Sequence, residues 1–123
     1  MKSNSATGKA GEDAACRYLQ EQGYNILSRN FKCRHGEIDI IAFMDGCVHF
    51  VEVKARKNLS YGMPSEAVNF RKKRHIIKSA QQYIYLHKKY MHCNVQIDVI
   101  EIIYSDEGEN INHLKNAVWQ EGF

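Results

Sequence analysis

Residues 36–56 read GEIDIIAFMDGCVHFVEVKAR. Two runs rich in branched and aromatic residues, 36–43 and 47–55, flank Asp45-Gly46. That dipeptide between such runs signals a tight β-hairpin. Both runs carry apolar side chains on both faces, as strands buried inside a sheet do. A two-residue loop at Asp45-Gly46 pairs Met44 with Cys47. Counting back, Ile41 faces Phe50, Ile40 faces Val51, Asp39 lies opposite Glu52, and Glu37 lies opposite Lys54. A four-residue loop keeps this register, whereas a three-residue loop slips it by one and exchanges the faces.

This register sets Asp39, Glu52 and Lys54 on one face, with Ile41, Phe43, Val48 and Phe50 as neighbours. Directly opposed β-carbons lie about 5 Å apart, and two carboxylates that close in apolar surroundings repel strongly. A protonated carboxyl, an intervening cation or a screening lysine relieves the repulsion. Lys54 supplies one positive charge, and a divalent metal would supply the rest. Carboxylate oxygens are hard ligands that suit Mg²⁺ or Mn²⁺ better than zinc. Such an ion polarises phosphoryl oxygens and lowers the pKa of bound water, so the parts suit phosphodiester hydrolysis. The alternative is structural: Glu52 paired with Lys54, and Asp39 with an arginine.

Working outward, a helix is expected from Thr7, a candidate cap, to Gly23. Its small and apolar stripe (Gly8, Ala15, Cys16, Leu19) also contains Glu12, and a carboxylate on a core-facing stripe needs a partner. Residues 24–33 form a strand, 56–64 a polar loop, and 65–90 a helical span whose stripe is Ile76, Ile77, Ala80, Tyr83 and Ile84. A strand at 95–104, a turn at 105–110 and a closing element of open type at 111–119 follow. Residues 1–6 read as a flexible tail and 7–123 as a single α/β domain, a mixed central sheet flanked by helices in the order α-β-β-β-α-β. Asp98 interrupts an apolar strand and reads as a buried, hydrogen-bonded carboxylate. His113 reads as a surface or packing histidine. Arg34 and His35 precede the Asp39 strand, within reach of phosphate.

The 123 residues are 44% hydrophobic and 25% charged, which excludes wholesale disorder. The longest apolar run, 40–44, is too short to cross a bilayer, and the first residues lack the apolar segment of a secretory signal. The four cysteines form no C-x-x-C pair and read as free thiols of a cytoplasmic protein. Between residues 54 and 93 there are ten lysines and arginines against one acid, Glu66, while the rest of the chain is acidic. Such polarity suggests a polyanionic partner, nucleic acid before membrane. Arg56, Arg71, Lys72, Lys73 and Arg74 are the candidate phosphate contacts.

The segments GKAGEDAACRYL (8–19), RHGEIDIIAFMDG (34–46) and HFVEVKAR (49–56) resemble the YraN family of small bacterial proteins, and the likeness runs from Gly8 to about Val118. That family is similar in turn to the restriction-endonuclease-like superfamily of Asp…Glu-x-Lys nucleases, archaeal Holliday-junction resolvases among them. The resemblance implies a restriction-endonuclease-like fold and a Mg²⁺- or Mn²⁺-dependent endonuclease acting on DNA, with branched or structured sites among its substrates. It implies Asp39, Glu52, Glu12 and the backbone carbonyl of Val53 as metal ligands, and Asp39, Glu52, Lys54 and Glu12 as the catalytic set. The proline that nominally precedes the aspartate is replaced by Ile38. Junction resolvases cut as dimers, so the resemblance admits a homodimer. Two further readings use the same residues: a nucleic-acid-binding module without turnover, and a protein-interaction domain whose basic helix meets an acidic partner.

Overall fold

The structure, a computed structural model, describes residues 6–57 and 70–117. Helix α1 (Ala6–Glu21) leads into three strands, β1 (Asn25–Cys33), β2 (Gly36–Met44) and β3 (Cys47–Arg56). Helix α2 (Phe70–Leu86) and a single 3-10 turn (Lys88–Tyr90) precede β4 (Asn94–Ser105) and β5 (Gly108–Leu114). The five strands form one mixed sheet in the order β1-β2-β3-β4-β5. Only β3 and β4 run parallel, because the span between them carries α2 as a crossover.

Next to the turn the hairpin register is the one expected, Met44 with Cys47, Ile41 with Phe50 and Ile40 with Val51, but the ladder ends there, so the expected pairs Asp39 with Glu52 and Glu37 with Lys54 fall beyond it. Asp45 and Gly46 have φ +50° and +75°, the two left-handed residues a type I′ turn requires. Gly23, at φ +99°, closes α1. There the Tyr24 N–H donates to the Leu19 carbonyl at 2.9 Å and the Gly23 N–H to that of Gln20 at 3.0 Å, so two end carbonyls of the helix are satisfied.

The helices pack on opposite faces of the sheet. On the α1 side, Ala15 and Leu19 meet Ile40, Val51, Val53, Ile100 and Ile102. On the α2 side, Ile76, Ala80 and Tyr83 meet Ile41, Val48, Phe50, Ile97 and Val99. Gly11 brings α1 close to the sheet: a Cβ at that position would lie 2.7 Å from Cβ of Ala55.

Several boundaries differ from the sequence expectation. Helix α1 begins at Ala6, so Thr7 lies inside its first turn rather than capping it. The helical span up to residue 90 breaks after Leu86, where the 3-10 turn takes over. The closing element is a strand that starts earlier than expected. Ser105 and Gly108 are already ladder partners, with Gly108 at φ +118° closing a two-residue turn. The fold is thus α-β-β-β-α-β with one further antiparallel strand. The tail at 1–5, most of the polar loop, the start of the second helical span and residues 118–123 lie outside the described residues. No helix among the described residues is long and apolar enough to cross a membrane.

Candidate functional site

The β2–β3 ladder runs from the turn to Ile40↔Val51. Beyond it, the Val53 N–H donates 2.8 Å to Oδ2 of Asp39. A carboxylate has taken the place of a strand carbonyl, which draws Asp39 toward the plane between the strands. Strand β1 is distorted at the same level. Asn30 lies between the pairs Arg29↔Ile40 and Phe31↔Ile38 and has φ +55°, a conformation asparagine tolerates better than most residues. Ile38 and Ile41 consequently pack in the same cluster, although strict alternation would send them to opposite faces. The carbonyl and N–H of a residue in an extended strand point the same way, so the Val53 carbonyl also faces β2.

Glu52 lies on the α2 face, one strand over. It is 4% exposed and Asp39 is 1% exposed. The Lys72 ammonium of α2 is bonded to Glu52 Oε2, and Lys54 Nζ stands 3.6 Å from the same oxygen. Burial works to lower the pKa of Lys72. The charge of Glu52 and its hydrogen bond outweigh that, with Asp39 adding to the field, and hold the ammonium above its ordinary value. Of the two buried carboxylates on adjacent strands, Glu52 has thus drawn two ammonium groups to itself, while Asp39 accepts a backbone N–H. Both are also the donor types that a hard divalent ion takes, and Mg²⁺ is commonly held by one or two carboxylates while keeping several waters.

Glu12 is buried as its stripe position requires, but it sits on the α1 side. With the Asn30 amide turned to satisfy both of its ends, its NH₂ donates to Glu12 Oε1 and to Glu37 Oε2, each at 3.2 Å. Glu12 therefore joins the level of Asp39 through Asn30. Among the described residues, no three carboxylates, imidazoles or thiols gather closely enough to hold a metal ion by themselves. Asn30 escapes a sequence reading, because an asparagine in a strand carries no metal or catalytic motif. Its only signal is its tolerance of left-handed backbone.

The expected phosphate contacts separate. Arg71 and Arg74 are exposed. Lys72 is turned to Glu52, and Arg56 lies with its Nε 3.8 Å from Glu101 Oε2. Lys73 corrects the expectation: at 6% exposure it is buried, because its position on α2 turns it toward the sheet. The exposed cationic surface extends instead to residues not grouped with this set. Arg71, Arg74, His75 and Lys78 line one groove. His75 and Lys78 also line a second, of about 620 Å³, with Lys32 of β1, Arg34 and His35 of the β1–β2 turn, and Glu37 of β2. His75 and Lys78 were discoverable, since they continue the Arg71/Arg74 face one turn along the helix.

A second polar cluster lies on the α1 face. Asp98 is fully buried. His49 Nδ1 and His113 Nε2 each approach its Oδ2 at 2.9 Å. The Asn116 N–H and Gln96 Nε2 each donate to Oδ1 at 2.9 Å. A carboxylate only accepts, so both imidazoles must donate. The Tyr18 hydroxyl lies 3.1 Å from the other ring nitrogen of His113, Nδ1. Burial works to raise the pKa of Asp98, but bonds from His113, His49, Asn116 and Gln96 hold it well below the usual carboxylate range. The buried role expected of Asp98 holds; of the two readings of His113 the packing one holds, its side chain being only 4% exposed beside Asp98. The four cysteines are free, with Cys16 buried and Cys33, Cys47 and Cys93 half-buried.

The model of a family described as "Uncharacterised protein family UPF0102" matches residues 11–102. A UPF0102 protein of Trichlorobacter lovleyi is 46% identical over 119 residues, covering 94% of this chain and 92% of that one. Another, of Caldicellulosiruptor bescii, is 47% identical over 114 residues, covering 89% and 94%. A third, of Desulforamulus reducens, is 40% identical over 116 residues, covering 92% and 95%.

Proposed function

The chain belongs to the UPF0102 family, the YraN type its motifs suggest, and we propose that it is a Mg²⁺- or Mn²⁺-dependent nuclease that hydrolyses DNA phosphodiesters in the cytoplasm. The observation that carries this reading is the pair of nearly buried carboxylates, Asp39 and Glu52, on adjacent strands with the Lys54 and Lys72 ammonium groups at Glu52. Burying like charges side by side is expensive, and such concentrations of ionised groups cluster at functional sites. The likeness to Asp…Glu-x-Lys nucleases supports the same conclusion.

Asp39, Glu52 and the Val53 carbonyl would hold the ion, with Glu12, the other expected ligand, linked to their level through Asn30. When bound, the ion supplies Lewis-acid polarisation of a phosphoryl oxygen and a lowered pKa for water. Lys54 stabilises the negative charge that develops on the phosphoryl oxygens. Val53 fixes the Asp39 carboxylate through its N–H, which limits the rotation that would spoil the donor geometry. The grooves lined by Arg71, Arg74, His75, Lys78 and Arg34 hold the polyanion through its phosphates.

Calorimetric titration with Mn²⁺ tests the site without knowledge of the natural substrate. The expected result is a binding isotherm for the wild type that disappears in Asp39→Asn. Equal isotherms in both proteins, or none in the wild type at millimolar metal, overturn the assignment. DNA affinity should fall steeply with salt. Replacing Arg71 and Arg74 together by Gln should weaken it about tenfold near physiological salt and reduce the slope of log K against log salt by about 2. Fluorescence anisotropy across a salt series checks this; an unchanged slope places the contacts elsewhere.

A second reading is favoured by one observation. Glu52 already has cationic partners in Lys72 and Lys54, which suits a DNA-binding module without turnover. That protein would show the same salt dependence and no metal-dependent product from duplexes, forks or four-way junctions.

A further inference from the structure

Among the described residues, the large apolar side chains that stand exposed are Tyr85, Leu86, Met91 and Val95. All four fall between the end of α2 and the start of β4, with Tyr85 66% and Met91 51% exposed. Tyr85, Met91 and Val95 line one open groove of about 440 Å³, floored by Ile77, Ile84 and Ile97. Single exposed apolar residues are ordinary, but a contiguous apolar concavity marks a contact surface. The groove shares no lining residue with the cationic grooves on α2.

At this end of α2 the nearby charge is positive: Lys88 and Lys89 follow the helix, and no aspartate or glutamate lies between Phe70 and Ile97. Lys88 lines the groove with its Nζ 5.2 Å from the centre of the Tyr85 ring. The neighbouring Lys89 lies 5.3 Å from the Tyr90 ring. Both ammonium groups are thus held over aromatic faces, that of Lys88 within the groove lining itself.

We propose that this groove docks an acidic amphipathic helix of a partner protein. Apolar side chains one turn apart on the partner would enter the groove, and its flanking carboxylates would meet Lys88 and Lys89. Charge selects this occupant over the others. A second copy related by a two-fold axis through the groove would bring the same patch, and so the same lysines, against itself, and like charges facing each other cost affinity. Nucleic acid would find an apolar wall where it needs phosphate contacts. A bilayer takes an amphipathic helix laid on it apolar face down, whereas the apolar surface here is a recess between α2 and β4. The inference does not depend on the nuclease reading, since a partner here leaves the cationic grooves open.

The test uses the full chain and a synthetic helical peptide of about 14 residues with leucines at i, i+4 and i+7 flanked by glutamates. Amide chemical shifts are expected to move within residues 77–97 on titration. Lys88→Glu and Met91→Glu should each weaken binding about tenfold. Both positions are exposed, and thermal melts of the variants verify that they fold. Equal binding of a peptide with lysines replacing the glutamates overturns the proposal. So does self-association abolished by Met91→Glu, which would make a second copy the occupant. Flotation on phosphatidylglycerol vesicles, lost in Met91→Glu with no response to the peptide, would assign the groove to membrane and also refute it.

Discussion

Glu52→Gln is expected to lower Mg²⁺-dependent cleavage of DNA by about a thousandfold while the protein stays folded. The expected loss exceeds the ten- to hundredfold usual for an outer partner of a metal site, because the charge removed belongs to a ligand itself. Glutamine keeps the volume of the side chain and one carbonyl oxygen, so the α2 face stays filled. The lost charge leaves Lys72 without its carboxylate, but this lysine side chain is 35% exposed and can swing to solvent. Asp39→Asn should act similarly on cleavage. Its remaining oxygen can still accept the Val53 N–H, so the junction of β2 and β3 is preserved. The assay is product formation from a four-way junction, a fork and a duplex, with and without Mg²⁺, alongside circular dichroism of each variant. Wild-type rates from both variants would falsify the placement of the metal at these carboxylates.

Asp98→Asn is expected to be the most damaging single substitution to stability, at about 3 kcal/mol. Four donors converge on this carboxylate from β3, β4, β5 and the segment after β5. Asparagine offers one accepting oxygen and turns an NH₂ toward one of the two pairs of converging donors, which must then change tautomer, turn away or go unsatisfied. A chain of this length should melt about 10 °C lower. Activity per folded molecule should survive, since the cluster lies on the face opposite Glu52.

The same carboxylate gives a pH signature. Its pKa is depressed in the folded protein relative to the ordinary value of 3.8. The stabilisation is therefore complete above about pH 4 and is lost as the pH falls from there toward the folded value. Melting temperatures of the wild type should decline across that acid range, and those of Asp98→Asn more gently. Parallel acid profiles would show that another group controls the loss.

The hairpin was readable because local chemistry decides it. Asp45-Gly46 accepts left-handed backbone twice, which fixes the partners of the residues next to it as far as Ile40 and Val51. Gly23 was readable for the same reason. The length of β5 was not. Its seven residues, GENINHL, are mostly polar and exposed along an edge, so they lack an apolar alternation, and it is pairing with β4 that makes them a strand. Lys73 shows the converse difficulty: four cations in a row look alike in sequence, and the rotation of α2 buries one, directs one to Glu52 and exposes two.

The order of helices and strands up to β4, the register of the central hairpin next to its turn and the presence of carboxylates where the interior should be apolar all follow from the sequence alone. Each depends on residues that are neighbours along the chain or across one tight turn. Tertiary structure alone decided that Glu12 meets Asn30, that Lys72 takes Glu52, and that Asp98 gathers His49 and His113. Those groups are brought together by the twist of the sheet and the rotation of helices on its two faces. Such orientations are set by the packing of many side chains at once, and no short stretch of sequence encodes them.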